Sequence, residues 1–565
     1  SYSGYNITGS NNLVLGNNTS SITGYSNINK SNNIFIGNDS GIQSGGDNNI
    51  NVGEGSGRRD TGGYSVSIGN YTSSTLVSGG SSEAYYATVM PTSEPSPGYN
   101  VSLGYLAGKN LTTGARSIHI GAGAGENTDK DDNIFIGYKA GKDATNDNNI
   151  FIGKSAGEDI NGTKNVVVGK NCMIGVSGST DTAANNLILG DETGKYIVSN
   201  NNVILGIDTA SANKNISNNN VVIGFESGKN MGTSSGNGPT SNVFIGTGSG
   251  YNTEGDSNTY IGYEAGKQNA DGDGNTYLGY GAAKTVNLAD PNPSNYSVII
   301  GYNAGSESTT LNGDTFVGFS AGIGATGTNN TLLGYNAGKT SSNHNTFMGY
   351  KAGESATGAN NIILGSQSGA NIASDFNIVI GSSSVTQTLT ATNNGNIVIG
   401  YDSGNKIVTS GNTYIGYQAG KDNAGTSNTI IGYTAMKGDK TTQDNVIIGK
   451  NAGTNLQGDY NLVIGSSAGE SNITNKIDNN LLLGYEAGKI NNKYNKLFVI
   501  GNNSGIALAQ GIKDGVDTQT KNYYDELESS IIGNTSGTVL NSRGNLIIGN
   551  NIGSSLTGDS NMLIG

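Results

Sequence analysis

The 565-residue chain has no tryptophan, one cysteine, two histidines and six prolines, and only 13% of its residues are charged. Each scarcity removes a class of protein. A lone Cys172 cannot form a disulfide within the chain, and its expected role is that of a small buried hydrophobe. His119 and His344 have no Cys, Asp or Glu at ligand spacing, so a catalytic metal centre has nothing to be built from. The segment Asp271–Asn275 has oxygen density suited to a hard cation but lacks the terminal Glu of an EF-hand loop. No serine elbow or paired-carboxylate motif is present. We therefore expect no enzyme activity, no cofactor and no metal.

The net charge of −13 is spread thinly along the chain. Nucleic-acid binding needs clustered Lys and Arg, so that class is not expected. There is no apolar run of membrane-spanning length and no signal peptide, and direct membrane insertion is not expected. With 91 glycines and no sustained 3.6-residue apolar period, helices are excluded as the main element. An apolar content of 34% is low enough to suggest disorder, but disordered chains do not place Ile or Val at fixed intervals.

What the chain has instead is a phrase of sixteen residues, clearest at 133–169: NIFIGYKAGKDATNDN, NIFIGKSAGEDINGTK, NVVVG. A glycine closes each apolar triplet, from Gly16 through Gly137, Gly153 and Gly169 to Gly565, at 31 places, and sixteen is the commonest step. With this glycine as position zero, −1 is always Ile, Leu, Val or Met, and −3 is mostly Ile, Val, Leu or Thr. Position −4 is Asn at 25 of the 31 marks. After the glycine comes a GYxAG-like segment, as at 262–266 and 334–338, then a turn-rich run of Asn, Asp, Thr, Ser and Gly.

Such a unit cannot bury a face alone, but stacked copies can. The expected fold is all-β: a parallel β-solenoid or β-roll of 31 coils of about sixteen residues, each with two short strands and two tight turns. At about 4.8 Å per coil it would make a rod of roughly 150 Å. One continuous solenoid over 1–565 is expected, with a proline-bearing loop insertion at 76–98 and a loop or degenerate coil at 508–529. The stop on Gly565 leads us to expect anchoring, export or capping segments beyond this sequence.

Identical residues then form columns. Asn33, Asn149, Asn258, Asn361 and Asn445 mark a ladder in which stacked amides bond one another. Positions −1 and −3 share one strand face and are expected to be the core. That leaves −2 pointing outward, where it is large and apolar: Phe135, Phe151, Phe244, Tyr260, Tyr277, Phe316, Phe347 and Tyr414. An exposed stripe of this kind marks an interface, and we expect chains to associate along it, most simply as a trimer. The alternative is that the Tyr segment or inter-coil loops cover it within one chain. Polar −2 residues near the start, Asn51, Ser67, Ser102 and His119, are expected to splay or pack differently.

The phrase NNxFIGYxAG resembles the tandem repeats in the heads and stalks of trimeric autotransporter adhesins. It is more similar still to the NTxIGYxAG repeats of phage tail fibres and bacterial surface proteins. The resemblance implies a β-solenoid, trimeric assembly and a role at a cell or virion surface. The expected function is that of a non-enzymatic shaft or subunit of an extracellular fibre or filament, serving as scaffold or adhesin. Self-association is expected, and a host or cell-surface glycan is a possible ligand. One alternative is a virion tail-fibre shaft that binds host glycans. Others are an ice-binding solenoid, which lacks a regular TxT array here, and a β-helical polysaccharide-degrading enzyme, for which no acidic cleft can be named.

Overall fold

The computed structural model describes residues 9–19, 31–42, 47–58, 64–72, 99–111, 114–175, 182–197, 199–211, 217–232, 238–269, 272–285, 295–386, 389–390, 392–438, 441–470, 476, 478–489, 496–505, 529–537, 544–553, 556 and 560–565. Among these there is no helix, and every regular element is a strand. The chain falls into two compact units, Ser1–Tyr296 and Ser297–Gly565. The first holds strands β1 (Leu13–Leu15) to β15 (Thr276–Leu278), and the second β16 (Val298–Ile300) to β31 (Met562–Ile564). Each unit is a parallel β-solenoid with coils of about sixteen residues, as the repeat requires.

Most strands are three residues long and cover positions −3 to −1 of the repeat. Consecutive strands within a unit pair in parallel, column on column. In the first unit β7 (Ile134–Ile136) meets β8 (Ile150–Ile152) with Phe135 opposite Phe151. In the second, β17 (Thr315–Val317) meets β18 (Thr331–Leu333) with Phe316 opposite Leu332. Insertions do not interrupt this register. β4 (Val66–Ile68) pairs directly with β5 (Val101–Leu103), and β28 (Leu497–Ile500) with β29 (Ser529–Ile532). No extra coil therefore adds a strand between them. The insertions at 76–98 and 508–529 themselves lie outside the described residues, apart from Ser529.

Among the described residues the second strand expected in each coil does not form. After the marker glycine the chain makes a series of turns, because left-handed residues recur every second position. In one coil these are Lys351 at φ 55° and Gly353 at φ 58°, a geometry that breaks any extended run. Backbone bonding between coils continues all the same. Lys351 N–H donates to Tyr335 O at 2.8 Å, Gly353 to Ser368 O at 3.0 Å, and Thr357 to Ile372 O at 2.9 Å. Coils are thus bonded to one another around most of their circumference, which is why such short strands suffice.

The marker glycine is required for two reasons. Gly349 has φ +141°, and a Cβ there would lie 2.5 Å from the carbonyl oxygen of Gly365 in the next coil. The left-handed bend and the close approach of stacked backbones both exclude a side chain.

The interior inverts the expected assignment. Phe135, Phe151, Phe244, Tyr260, Tyr277, Phe316, Phe347 and Tyr414 are all fully buried within the single chain. They are the core, not an inter-chain stripe. Positions −3 and −1 point out instead: Leu187, Leu189, Leu333, Met348 and Ile362 are all 36–40% exposed. Most −2 rings pack against a glycine at +4 across the coil, and a Cβ on Gly141 would sit 2.6 Å from the Phe135 ring. Because −2 and −4 have the same parity, the aromatic column and the Asn column both face inward. Adjacent rings stack up the core. Phe135 and Phe151 have centroids 5.1 Å apart, and Phe244 and Tyr260 5.0 Å apart.

Candidate interaction surface

The Asn ladder lines the inner wall of both units, and its principal bond differs from the amide-to-amide contact expected. Each side-chain oxygen accepts the backbone N–H of the Asn one coil on. Asn33 Oδ1 takes Asn49 N–H at 2.8 Å, Asn149 takes Asn165 at 3.0 Å, and Asn258 takes Asn275 at 2.9 Å. Asn361 takes Asn377 and Asn445 takes Asn461, both at 2.9 Å. Amide-to-amide bonds accompany this in many coils, as from Asn377 Nδ2 to Asn361 Oδ1 at 3.0 Å and from Asn461 Nδ2 to Asn445 Oδ1 at 3.0 Å. The remaining amide proton often reaches a loop carbonyl, as from Asn361 to Ser374 O at 2.9 Å. The ladder thus satisfies buried backbone donors that the strands leave over.

One rung is different. Asp314 replaces Asn and is buried. Its carboxylate accepts N–H groups from Asn330 at 2.7 Å and Asn312 at 2.9 Å. Burial outweighs these bonds and pushes the carboxyl up to about 7. In the first unit His119 occupies a −2 core position, stacks on Phe135 at 5.5 Å and is held neutral by burial, with its pKa down to about 4. Cys172 sits at +3, where other coils place Ala, Ser or Thr. Its thiol donates to Gly190 O at 2.7 Å, in the manner of Thr193 toward Gly206 O at 2.5 Å. Burial raises the thiol to about 11, so it is a core group with no reactive character.

The outer face of each sheet carries exposed apolar side chains. Three columns run side by side: −3 and −1, both largely aliphatic, and an aromatic column at +1. In the second unit Tyr302, Phe319, Tyr335 and Tyr350 stack ring on ring with centroids 5.1, 5.0 and 5.4 Å apart. Tyr401, Tyr417 and Tyr433 form a second run. Tyr263 and Tyr280 form a shorter one in the first unit. These rings are 42–53% exposed. Beside the first run lie Leu333 and Met348 at −1, each 40% exposed, and the threonines Thr315, Thr331 and Thr346 at −3.

Two properties follow. Rings inside a run, such as Phe319 and Tyr335, have both faces covered by neighbours, so they offer edges, and the tyrosines their hydroxyls, but no free ring face for a sugar to lie on. Charged side chains in the turn segments pair between coils. Lys109 meets Glu126 at 3.1 Å, Lys421 meets Asp402 at 2.5 Å, and Arg116 meets Asp131 and Asp132 at 2.8 and 2.7 Å.

The apolar −2 column that the sequence suggested as an outward stripe is buried, and the exposed apolar columns have the opposite parity. One signal was available: Thr occupies −3 in several coils and never −2. Among the described residues no group of three or more His, Cys, Asp or Glu could hold a metal ion, and no helix is long and apolar enough to cross a membrane. No family model, no curated protein and no solved structure matches the chain.

Proposed function

We propose that the protein is a non-enzymatic structural solenoid, a shaft or subunit of an extracellular fibre, whose copies associate side by side through the −3, −1 and +1 columns. The exposed apolar face carries this reading. An aromatic side chain brings about 200 Å² of surface, so four half-exposed rings at 302–350 present about 400 Å² by themselves. That is already within the range of the largest apolar patch on an ordinary monomer, about 300–600 Å². With the two flanking columns, four or five coils supply about the 800 Å² per partner of a standard interface.

The partner most suited to this face is a second copy. The columns repeat at the strand spacing of about 4.8 Å, and only another parallel stack offers ridges at that interval. The surface or tail-fibre location rests on the resemblance of the repeat phrase to such proteins. A glycan-binding role has less support on this face, because the stacked rings hide their π surfaces.

The test is the mass of the intact protein in solution by sedimentation, for the wild type and for Leu333→Lys/Tyr335→Lys. We expect a multimer of wild-type chains and a shift toward monomer in the variant, with an unchanged β circular-dichroism spectrum. A wild type that stays monomeric at tens of micromolar would overturn the reading.

One observation favours a second reading. Thr315, Thr331 and Thr346 form an outward row, which is what an ice-binding face needs, although the neighbouring −1 column is aliphatic at every mark. Thermal hysteresis in the monomeric variant would support it, and its absence would dismiss it.

A further inference from the structure

Through most of both units the −2 column fills the interior with Phe, Tyr, Ile, Leu or Val. Four consecutive coils of the first unit depart from this. In β3 (Ile50–Val52), β4, β5 and β6 (Ile118–Ile120) the inward residues are Asn51, Ser67, Ser102 and His119. They stand opposite one another in unbroken register, with Phe35 closing the column at one end and Phe135 at the other. All four are fully buried. Asn51 Nδ2 and Oδ1, Ser67 Oγ and His119 Nε2 have no hydrogen-bond partner among the described residues.

We propose that the interior between Phe35 and Phe135 is a water-binding chamber, in which a file of ordered water molecules beside Ser102 completes the bonds of Asn51, Ser67 and His119. The spacing fits water. Equivalent backbone positions of paired strands stand about 4.8 Å apart, and the short Ser67 hydroxyl makes no direct bond to its counterpart Ser102. Two hydrogen bonds of about 2.8 Å that meet at one water span about 4.5 Å. The serines are also much smaller than the rings and aliphatic groups that fill this column elsewhere, which leaves the room that a water requires.

The chemistry fits water better than an ion. The Ser102 hydroxyl lies 3.5 Å from His119 Nδ1. With the hydroxyl donating to Nδ1, the neutral ring carries its proton on Nε2, a buried donor in need of an acceptor. Asn51 supplies both a donor and an acceptor, and Ser67 either one. No carboxylate or cation lies among these four inward residues, so the set is neutral and mixed, and water satisfies every member at once.

The experiment is a density map of the intact protein at better than about 2 Å, together with water-to-amide cross-relaxation measured by NMR on the wild type. We expect at least two ordered waters between Phe35 and Phe135, one bridging Ser67 and Ser102, and cross-peaks from long-lived water to amides of β4 and β5. Ser67→Val should remove the bridging water while leaving β7 and β8 unchanged. The proposal is overturned if the four side chains are found bonded directly to one another with no density between them. It is equally overturned if strong density refines as an ion, or if no long-lived water contacts those amides.

Discussion

Tyr260 and Tyr277 lie ring on ring inside the first unit, with centroids 4.6 Å apart and planes 4° from parallel, and both are fully buried. Asn269 reaches both hydroxyls, at 2.6 Å to Tyr260 and 3.3 Å to Tyr277. Three residues after Tyr277, Tyr280 stands outside the coil at 44% exposure and stacks on Tyr263. One coil thus holds two tyrosines in opposite settings, the first buried in the core and the second on the outer face.

Replacing each by alanine distinguishes those settings. Tyr277→Ala opens a cavity and orphans part of the Asn269 amide, and should cost about 3–5 kcal/mol of local stability. Tyr280→Ala should cost less than about 1 kcal/mol. Hydrogen exchange of the surrounding strand amides measures both, because a repeat array does not unfold in one step. Equal losses would mean that the inward and outward columns are wrongly assigned.

The ladder is tested at Asn361. Asn361→Ala removes the acceptor for the Asn377 N–H and leaves a buried donor without a partner. The expected cost is about 1–3 kcal/mol, read as faster exchange at Asn377 and its neighbours than in distant coils.

Gly349→Ala should be worse than either core truncation per atom added. The new Cβ meets the backbone oxygen of Gly365 at 2.5 Å in a left-handed conformation, and neither can move without breaking the ladder. We expect a loss of more than about 3 kcal/mol, visible as protease cutting near 349. An intact, protected coil would refute the backbone-contact argument.

The two units should respond to pH in opposite senses. Asp314 has its folded pKa raised from 3.8 to about 7, so the folded state binds the proton more tightly than the unfolded chain. Its stabilising effect is complete below about pH 4 and is lost as pH rises through 7, by up to about 4 kcal/mol. Asp314→Asn should abolish that slope. His119 has its folded pKa lowered from 6.5 to about 4, so stability is complete above pH 6.5 and lost as pH falls toward 4. The loss is up to about 3 kcal/mol. His119→Phe should remove it while keeping the stack on Phe135. Exchange rates of β17 and of β6, measured from pH 4 to 8, check both signs.

Much was legible in the sequence because a repeat imposes its own constraints. The glycine marks placed every strand: β7 and β8 cover −3 to −1 before Gly137 and Gly153, as do the others with small extensions. The Asn at −4 announced a ladder, since an amide repeated at the coil interval has its own copy as nearest neighbour. Parallel pairing followed from the same spacing. Cys172 was correctly read as a buried group.

What the sequence could not determine by itself was the sign of the alternation. Both faces of a triplet such as Ile134–Phe135–Ile136 are apolar, and a period of two fixes which residues go together without saying which set goes in. Tertiary structure decided it. The left-handed bends at the marker glycine and at +2 and +4 turn each coil so that −2 faces the chain's own far wall. There Gly141 leaves room for the Phe135 ring, and the Ile pair is left at the surface. The sequence determined the coil and its ladder. Only the closure of that coil decided which columns became core and which became the face available to another molecule.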